Sequence, residues 1–483
     1  THSTVLGTSD VALLNEIKEE GKMILDKPLL GKAYIGQTYL TSGMLYKDNS
    51  HILLELHNEG AEPKDDYLDQ LDPSCIIRQD NGTTAIGIPR MKPCPETISF
   101  FTAPGEKSYL LTDCRLIHTD FTYGGGPYNY RQVIEVNKLI QISDYGLKRF
   151  GNRYLKINRM QSTIPELKTW VGNSALFFWM PDNNQKTIIA YGLRKTRPLK
   201  LGRIPAEDDF FARIQIQAKS SDNLIESKAE LHSDTIFSTY SHKHLDINDH
   251  LRVHRAFLIL LEIAYGRKLD MHNIQISRND DKSLPNHSTV FHNLLTPHIL
   301  ACNFEKNHNE HQVEPIFHFN DICKEGIHKW FDLLHNCPSG LYAFSNLIEN
   351  EIFLPLEAQF LLVGVAIEHI GAMIMGKDGT FREQLNAVLD QLVPLLSDDD
   401  CKTSWAGGVT NSYNGIKHLH RANKLPDTVS MVEYLFEAKL MIRLWVAHHL
   451  GCNTISLSEY ANRHSVQPSR IASVFRREIA HPS

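Results

Sequence analysis

The spacing of hydrophobic and polar positions changes character near the middle of the chain. From about residue 32 to 142, apolar and polar residues alternate over short stretches, the period-two pattern of half-buried strands. Strands are predicted at 33–45, 51–56, 84–88, 98–102, 109–119 and 131–142, rich in Ile, Val, Tyr, Phe and Thr and broken by Gly, Pro and Asn-Gly. Asp80-Asn81-Gly82 predicts a hairpin turn. A second β-rich stretch runs from 167 to about 240, with strands at 174–180, 186–191 and 210–219. Trp170 and Trp179 are expected in its core.

Beyond residue 250 the period becomes helical. Helices are predicted at 251–265, 321–334, 341–348, 357–375, 380–396 and 430–450. Pro355 with Glu357, and Pro426-Asp427-Thr428, carry the proline and acid of helix starts. Gly451 follows the last apolar turn as a C-terminal cap. Between the first two helices, residues 281–315 are polar and rich in His and Asn and read as a long loop. Long helices on short links pack most simply as an antiparallel bundle. The fold class is therefore α+β, with a β-rich first half and an all-α second half. The expected divisions are a β-rich recognition module at 1–240, a helix and polar linker at 241–320, a bundle at 321–452 and a tail at 453–483.

A chain of 483 residues exceeds one ordinary core, in line with these divisions. Its net charge of −6 excludes a general polyanion binder and leaves only a local basic patch for nucleic acid. The 8 cysteines form no Cys-x-x-Cys pair and are scattered, as in a reducing compartment. The opening Thr-His-Ser-Thr has neither the basic nor the apolar part of a secretory signal. The apolar run 360–367 is shorter than the roughly 20 residues a bilayer requires. A cytoplasmic protein without a membrane partner is expected.

Candidate chemistry concentrates at 411–421, Asn-Ser-Tyr-Asn-Gly-Ile-Lys-His-Leu-His-Arg. In a helix beginning here, Asn414 and His418 lie four residues apart on one face, and Tyr413, Lys417 and Arg421 line the next. An imidazole that exchanges protons near neutral pH, an amide and cations suit a phosphodiester. Glu368 and His369 interrupt an otherwise apolar helix and need partners or a role there. The histidines at 242, 244, 250 and 254, and at 308 and 311, lack a Cys or Glu at a ligand spacing, so neither metal nor cofactor is expected. Gly124-Gly125-Gly126-Pro127 lacks the Gly-Lys-Ser/Thr of a phosphate loop and reads as a turn. In the tail, Ala461, Val466, Ile471 and Val474 suit the core of a helix-turn-helix. Arg470, Arg476 and Arg477 would then lie near phosphates; the alternative is a helical hairpin closing the bundle.

Several stretches resemble a known family. Gly36 with Thr41-Ser42-Gly43-Met44-Leu45, Ile52-Leu53-Leu54-Glu55-Leu56, Leu110-Leu111-Thr112-Asp113-Cys114 and Ile164-Pro165-Glu166-Leu167-Lys168-Thr169-Trp170 are similar to the N-terminal domain of ApeA-like anti-phage proteins. Lys329-Trp330-Phe331, Gln359-Phe360-Leu361, Ala366-Ile367-Glu368-His369 and the 411–421 stretch resemble the ApeA-like HEPN domain. The resemblance implies a helical bundle that dimerises and cleaves RNA, such as tRNA, without metal in phage defence. It further implies a phage protein trigger sensed by the first half. HEPN ribonucleases carry an Arg, commonly followed by Asn, with a His a few positions on. Asn414 and His418 match, but Tyr413 stands at the position of the arginine. Lys417 on the same face, or Arg443 on the next helix, is a possible replacement. The other outcome is an inactive HEPN bundle kept to bind RNA or a nucleotide, or to sense phage and dimerise.

Overall fold

The computed structural model describes residues 25, 27–58, 94–103, 107–122, 129–179, 190–193, 196–205, 207–223, 228–281, 289–297, 313–418, 425–464 and 473–475. The first half of the chain holds β1 (Leu29–Ile35), β2 (Thr38–Asp48), β3 (His51–Asn58), β4 (Thr97–Phe101), β5 (Ser108–Thr122) and β6 (Asn129–Ile142). Then come α1 (Asp144–Phe150), β7 (Lys156–Thr163), α2 (Leu167–Val171), β8 (Leu176–Trp179), β9 (Ala190–Leu193), β10 (Leu199–Ile204), β11 (Glu207–Asn223) and β12 (Lys228–Asp246). After α3 (Ile247–Tyr265), β13 (His272–Ser277) and β14 (His292–Leu295), the remainder is helical. It comprises α4 (Phe319–Asn336), α5 (Pro338–Asn350), α6 (Leu356–Met375), α7 (Phe381–Gln391), α8 (Asp399–Lys417), α9 (Thr428–Leu450) and α10 (Thr454–His464).

These elements form two compact units, 1–157 with 274–306, and 158–273 with 307–483. The second unit joins residues 158–273 to the later helices, with β10 and α3 packed on them. In the first unit, six antiparallel strands run β6-β3-β2-β1-β4-β5, and β5 pairs back onto β6. The ring closes and leaves these strands no open edge. Alternation supplies its core: Ile52, Leu54 and Leu56 of β3 are buried with Leu45, Phe100, Leu111, Ile134 and Val136. The span predicted as one strand at 33–45 is a hairpin. Gly36 turns the chain at φ 58°, where a side chain would be strained.

The stretch read as a long loop at 281–315 contributes structure to this unit. β14 pairs with the end of β6 through Leu294–Ile140 and Leu295–Leu139. His292 and Asp281 are buried, and Tyr154 Oη donates to Asp281 Oδ2 at 2.5 Å. The predicted Asp80-Asn81-Gly82 hairpin, the 84–88 strand and the glycine turn at 124–127 lie outside the described residues.

In the second unit a sheet ordered β10-β11-β12-β7 carries α3 on β12. Phe237 of β12 stacks on Phe257 of α3, centroids 4.0 Å apart. Trp170, in a helical turn and buried as expected, meets Phe257 edge-on at 6.1 Å; the side chain of Trp179 is outside the described set. The local histidine cluster splits. His254 is fully buried between Ser162 Oγ (2.8 Å) and Thr239 Oγ1 (3.1 Å), and His250 bonds the same threonine at 2.9 Å. Both belong to the core.

The helices start and stop on local signals. Asp427 caps α9 by accepting from the Val429 and Ser430 amides, and Gly451 ends it at φ 105°. Thr380 and Glu383 form a capping box at α7. This helix stops at Gln391, and a 3₁₀ turn at Val393–Leu395 replaces its predicted last turn, where Pro394 lacks a donor. Trp330 Nε1 donates to Ala256 O at 2.8 Å, tying α4 to α3. By length and composition α6 could cross a membrane, which the 360–367 run alone did not indicate. In this structure Phe360, Val363, Ile367 and Ile370 of α6 are buried, and Glu368 is partly exposed beside them.

Candidate functional site

The residues singled out in 411–421 end a helix rather than begin one. Asp398 caps α8, which runs from Asp399 to Lys417, and His418 is its C-cap in an extended conformation (φ −128°, ψ 106°). The His418 amide still donates to Asn414 O at 2.9 Å. The backbone turns extended at His418, so the helix, and with it the four-residue face of Asn414 and His418, reaches only to this residue. Both side chains are partly exposed.

The structure does bring Tyr413, Lys417 and Glu368 together, and Gly364 explains how. A Cβ at 364 would lie 2.1 Å from Tyr413 Cε2, so only a glycine lets the ring lie directly on α6. Phe381 stacks on the other side, centroids 4.4 Å apart, and Tyr413 is 2 % exposed. Glu368 stands one turn beyond Gly364 on the same face of α6. The ring therefore aims its hydroxyl at that carboxylate, donating to Glu368 Oε2 at 2.9 Å. Lys417, one turn beyond Tyr413, closes the triangle. Its ammonium donates to Tyr413 Oη at 3.0 Å and to both Glu368 oxygens at 3.0 and 3.3 Å.

Charge follows from this geometry. Burial pushes the Tyr413 phenol above its ordinary value; Glu368 adds to the rise and the Lys417 hydrogen bond opposes it. The phenol is thus neutral and a donor at neutral pH. Hydrogen bonds to Tyr413 and to Glu368 raise Lys417, keeping it cationic. The triangle carries one positive and one negative charge, and its lysine is 41 % exposed. A phosphate approaching from solvent meets an ammonium already oriented, but must compete with Glu368 for it.

The other expected cations are placed differently. Arg443 is drawn into the fold: it donates to Ile263 O (2.8 Å) and Ala264 O (2.7 Å) at the end of α3 and lies over Tyr460. These bonds satisfy helix-end carbonyls, so its guanidinium does not replace the family arginine beside Tyr413. Arg421, Arg470, Arg476 and Arg477 lie outside the described residues. The tail reading is corrected where it is described. α10 forms and buries Ala461, but Ser473–Phe475 is not helical. Phe475 bridges Leu396, Ser397 N donates to Val474 O at 2.8 Å, and Ser473 Oγ donates to Glu437 at 2.9 Å. These contacts hold Ser473–Phe475 against the bundle; residues 465–472 and 476–483 lie outside the described residues.

Sequence reasoning missed Gly364 and Phe381, the two residues that fix the tyrosine. A glycine inside an apolar helix, one turn before the carboxylate in its middle, was the available signal.

Two family models match the chain in succession. One described as ApeA N-terminal domain 1 covers residues 36–330, and one described as Apea-like HEPN covers 365–454. Comparisons with curated proteins and with solved structures give no match. Glu368, Tyr413, Asn414, Lys417 and His418 all fall inside the second match. With more than half of the chain in the first match and its helical site in the second, the chain belongs to the ApeA-like family of anti-phage HEPN proteins.

Proposed function

We propose that this protein is an endoribonuclease that cleaves RNA, tRNA among its possible substrates, without a metal ion during phage infection. In this reading His418 takes the proton of a ribose 2′-hydroxyl as that oxygen attacks the adjacent phosphorus. The 5′-oxygen of the next nucleotide leaves as a hydroxyl, taking a proton from solvent, and a 2′,3′-cyclic phosphate remains. Lys417 stabilises the charge that grows on the phosphoryl oxygens, and Asn414 helps hold the phosphate. The observation that carries the reading is the Lys417 ammonium 3.0 Å from Tyr413 Oη. A cation thus reaches the position where the family has arginine, from one turn further along α8.

A cytoplasmic homodimer fits this role. Ile352 and Phe353 are 92 % and 82 % exposed, and adjacent Glu351 pairs with Lys439 of α9, whose Val432 and Phe436 are also exposed. Apolar surface of this kind favours association with a second copy. The barrel of the first unit is the proposed receiver of a phage protein. The rival is an inactive bundle that binds RNA; what favours it is Glu368, which already neutralises Lys417.

The test is incubation of the purified protein with cellular RNA in excess EDTA, followed by analysis of the new ends. Cyclic or 3′-phosphate ends that disappear in His418→Ala are expected. Cleavage that stops in EDTA and returns with magnesium would overturn the metal-independent mechanism.

A further inference from the structure

Lys329, Asp332 and Asn336 recur every three or four residues of α4 and share one face. With Leu333, with Met373 of α6 and with His449 of α9 they line a groove of about 520 Å³. That volume suits one small organic ligand. The site shares no residue with the Glu368–Tyr413–Lys417 triangle.

Each wall offers something different. Met373, which is partly exposed, gives apolar surface for a flat ring, and buried Leu333 backs the groove. The His449 ring stacks on Trp445, centroids 5.2 Å apart, and Trp445 is itself held by a 2.7 Å bond from Nε1 to Gln391 Oε1. Burial, then the neighbouring Lys329 and His448, hold the His449 imidazole below its ordinary range. It is therefore a neutral hydrogen-bonding group at neutral pH, and Lys329 supplies the positive charge. Lys329 and Asn336 stand two turns apart, roughly 10 Å along the helix axis, far enough to hold opposite ends of one mononucleotide.

We propose that this groove binds a guanine mononucleotide. A carboxylate only accepts hydrogen bonds. Asp332 therefore suits a base that presents two adjacent donors, and among the common bases guanine does so, with N1–H and the 2-amino group. Adenine and cytosine place a lone pair beside their amino group, which a carboxylate repels, and uracil has one donor between two acceptors. Asn336 donates its amide N–H to the guanine 6-oxygen. Lys329 donates to the phosphate, and His449 to the ribose or the phosphate. The base lies against Met373.

Calorimetric titration of the full chain with GMP, AMP and guanosine tests this. GMP is expected to bind at least about tenfold more tightly than AMP, since the wrong base leaves Asp332 facing a lone pair. Guanosine is expected to bind more weakly than GMP. Asp332→Asn should abolish the preference for GMP over AMP, and Lys329→Ala should bring GMP down to the affinity of guanosine. Both positions are exposed, so circular dichroism should be unchanged. RNA cleavage in EDTA by Asp332→Asn, compared with wild type, keeps this site separate from the proposed nuclease. No saturable GMP binding, equal affinity for AMP and GMP, or affinity only for guanine-containing RNA would overturn the proposal.

Discussion

Glu262 and Glu368 each interrupt an apolar helix, and their surroundings give them opposite roles. Glu368 on α6 is partly exposed and has a cation at 3.0 Å and a phenol at 2.9 Å. Glu262 on α3 has no exposed surface. It accepts from Ser345 Oγ at 3.1 Å and from the Leu269 amide at 3.4 Å, while its nearest cation, Arg255, stands 3.8 Å away and also pairs with Glu349. Burial outweighs Arg255 and pushes the Glu262 carboxyl up to about 7. A paired carboxylate at the rim can exchange its partner for a ligand. A buried one with a distant partner can only take up or lose a proton, and the fold responds. Substitutions at the first should alter activity with little effect on stability, and substitutions at the second should do the reverse.

His418→Ala should give the largest effect, a fall of about 10²–10⁴ in RNA cleavage, the range for losing a general acid or base. Single-turnover rates measure it, with an unchanged melting temperature as the control. Glu262 comes next, and its effect depends on pH. The folded carboxyl holds its proton more tightly than the unfolded one, so its stabilisation is complete below about pH 4.5 and is lost as pH rises through about 7. The swing is on the order of 3 kcal/mol. Denaturant unfolding at pH 4.5 and pH 8 should show most of it, and pH 6 against pH 8 roughly 1 kcal/mol; Glu262→Gln should remove it while leaving cleavage unchanged. A Glu262→Gln protein with the wild-type pH dependence would mean that this carboxyl does not couple to folding.

Gly364→Ala joins the two behaviours, because its Cβ would meet the Tyr413 ring. A loss of about 1–3 kcal/mol is expected from overpacking, together with reduced cleavage as the phenol moves. Glu368→Gln should have the smallest effect, a change of a few-fold. It releases Lys417 from a negative charge, so affinity for RNA should rise in filter binding. Unchanged affinity would remove Glu368 as the competitor for that lysine.

The sequence was legible where periodicity carried the information. The six helices from 251 onward are each recovered within a few residues, apart from the last turn of 380–396, as are the β-rich first half and the caps at Asp427 and Gly451. Contacts distant in sequence were not legible. Glu368 stood out as a carboxylate in an apolar helix. Glu262, in Leu-Leu-Glu-Ile-Ala, fits the same description but passed unmarked, because burial depth is set by helices far along the chain. Lys417 was placed correctly beside Tyr413 because a four-residue spacing fixes a helical face. At His418 the same rule reaches its limit, because α8 ends there. Arg443 shows the remaining gap: its place on the next helix suggested a replacement for the missing arginine, while the carbonyls that hold it lie about 180 residues earlier.

The central claim is that Lys417 does the work of the missing arginine. Tyr413→Arg would test it poorly, since position 413 is buried against Gly364. Lys417 is exposed enough to change freely. Single-turnover RNA cleavage in EDTA should fall by about 10²-fold in Lys417→Ala and stay within a few-fold of wild type in Lys417→Arg. Cleavage by Lys417→Ala at the wild-type rate, or wild-type protein that cleaves no RNA, would contradict the account.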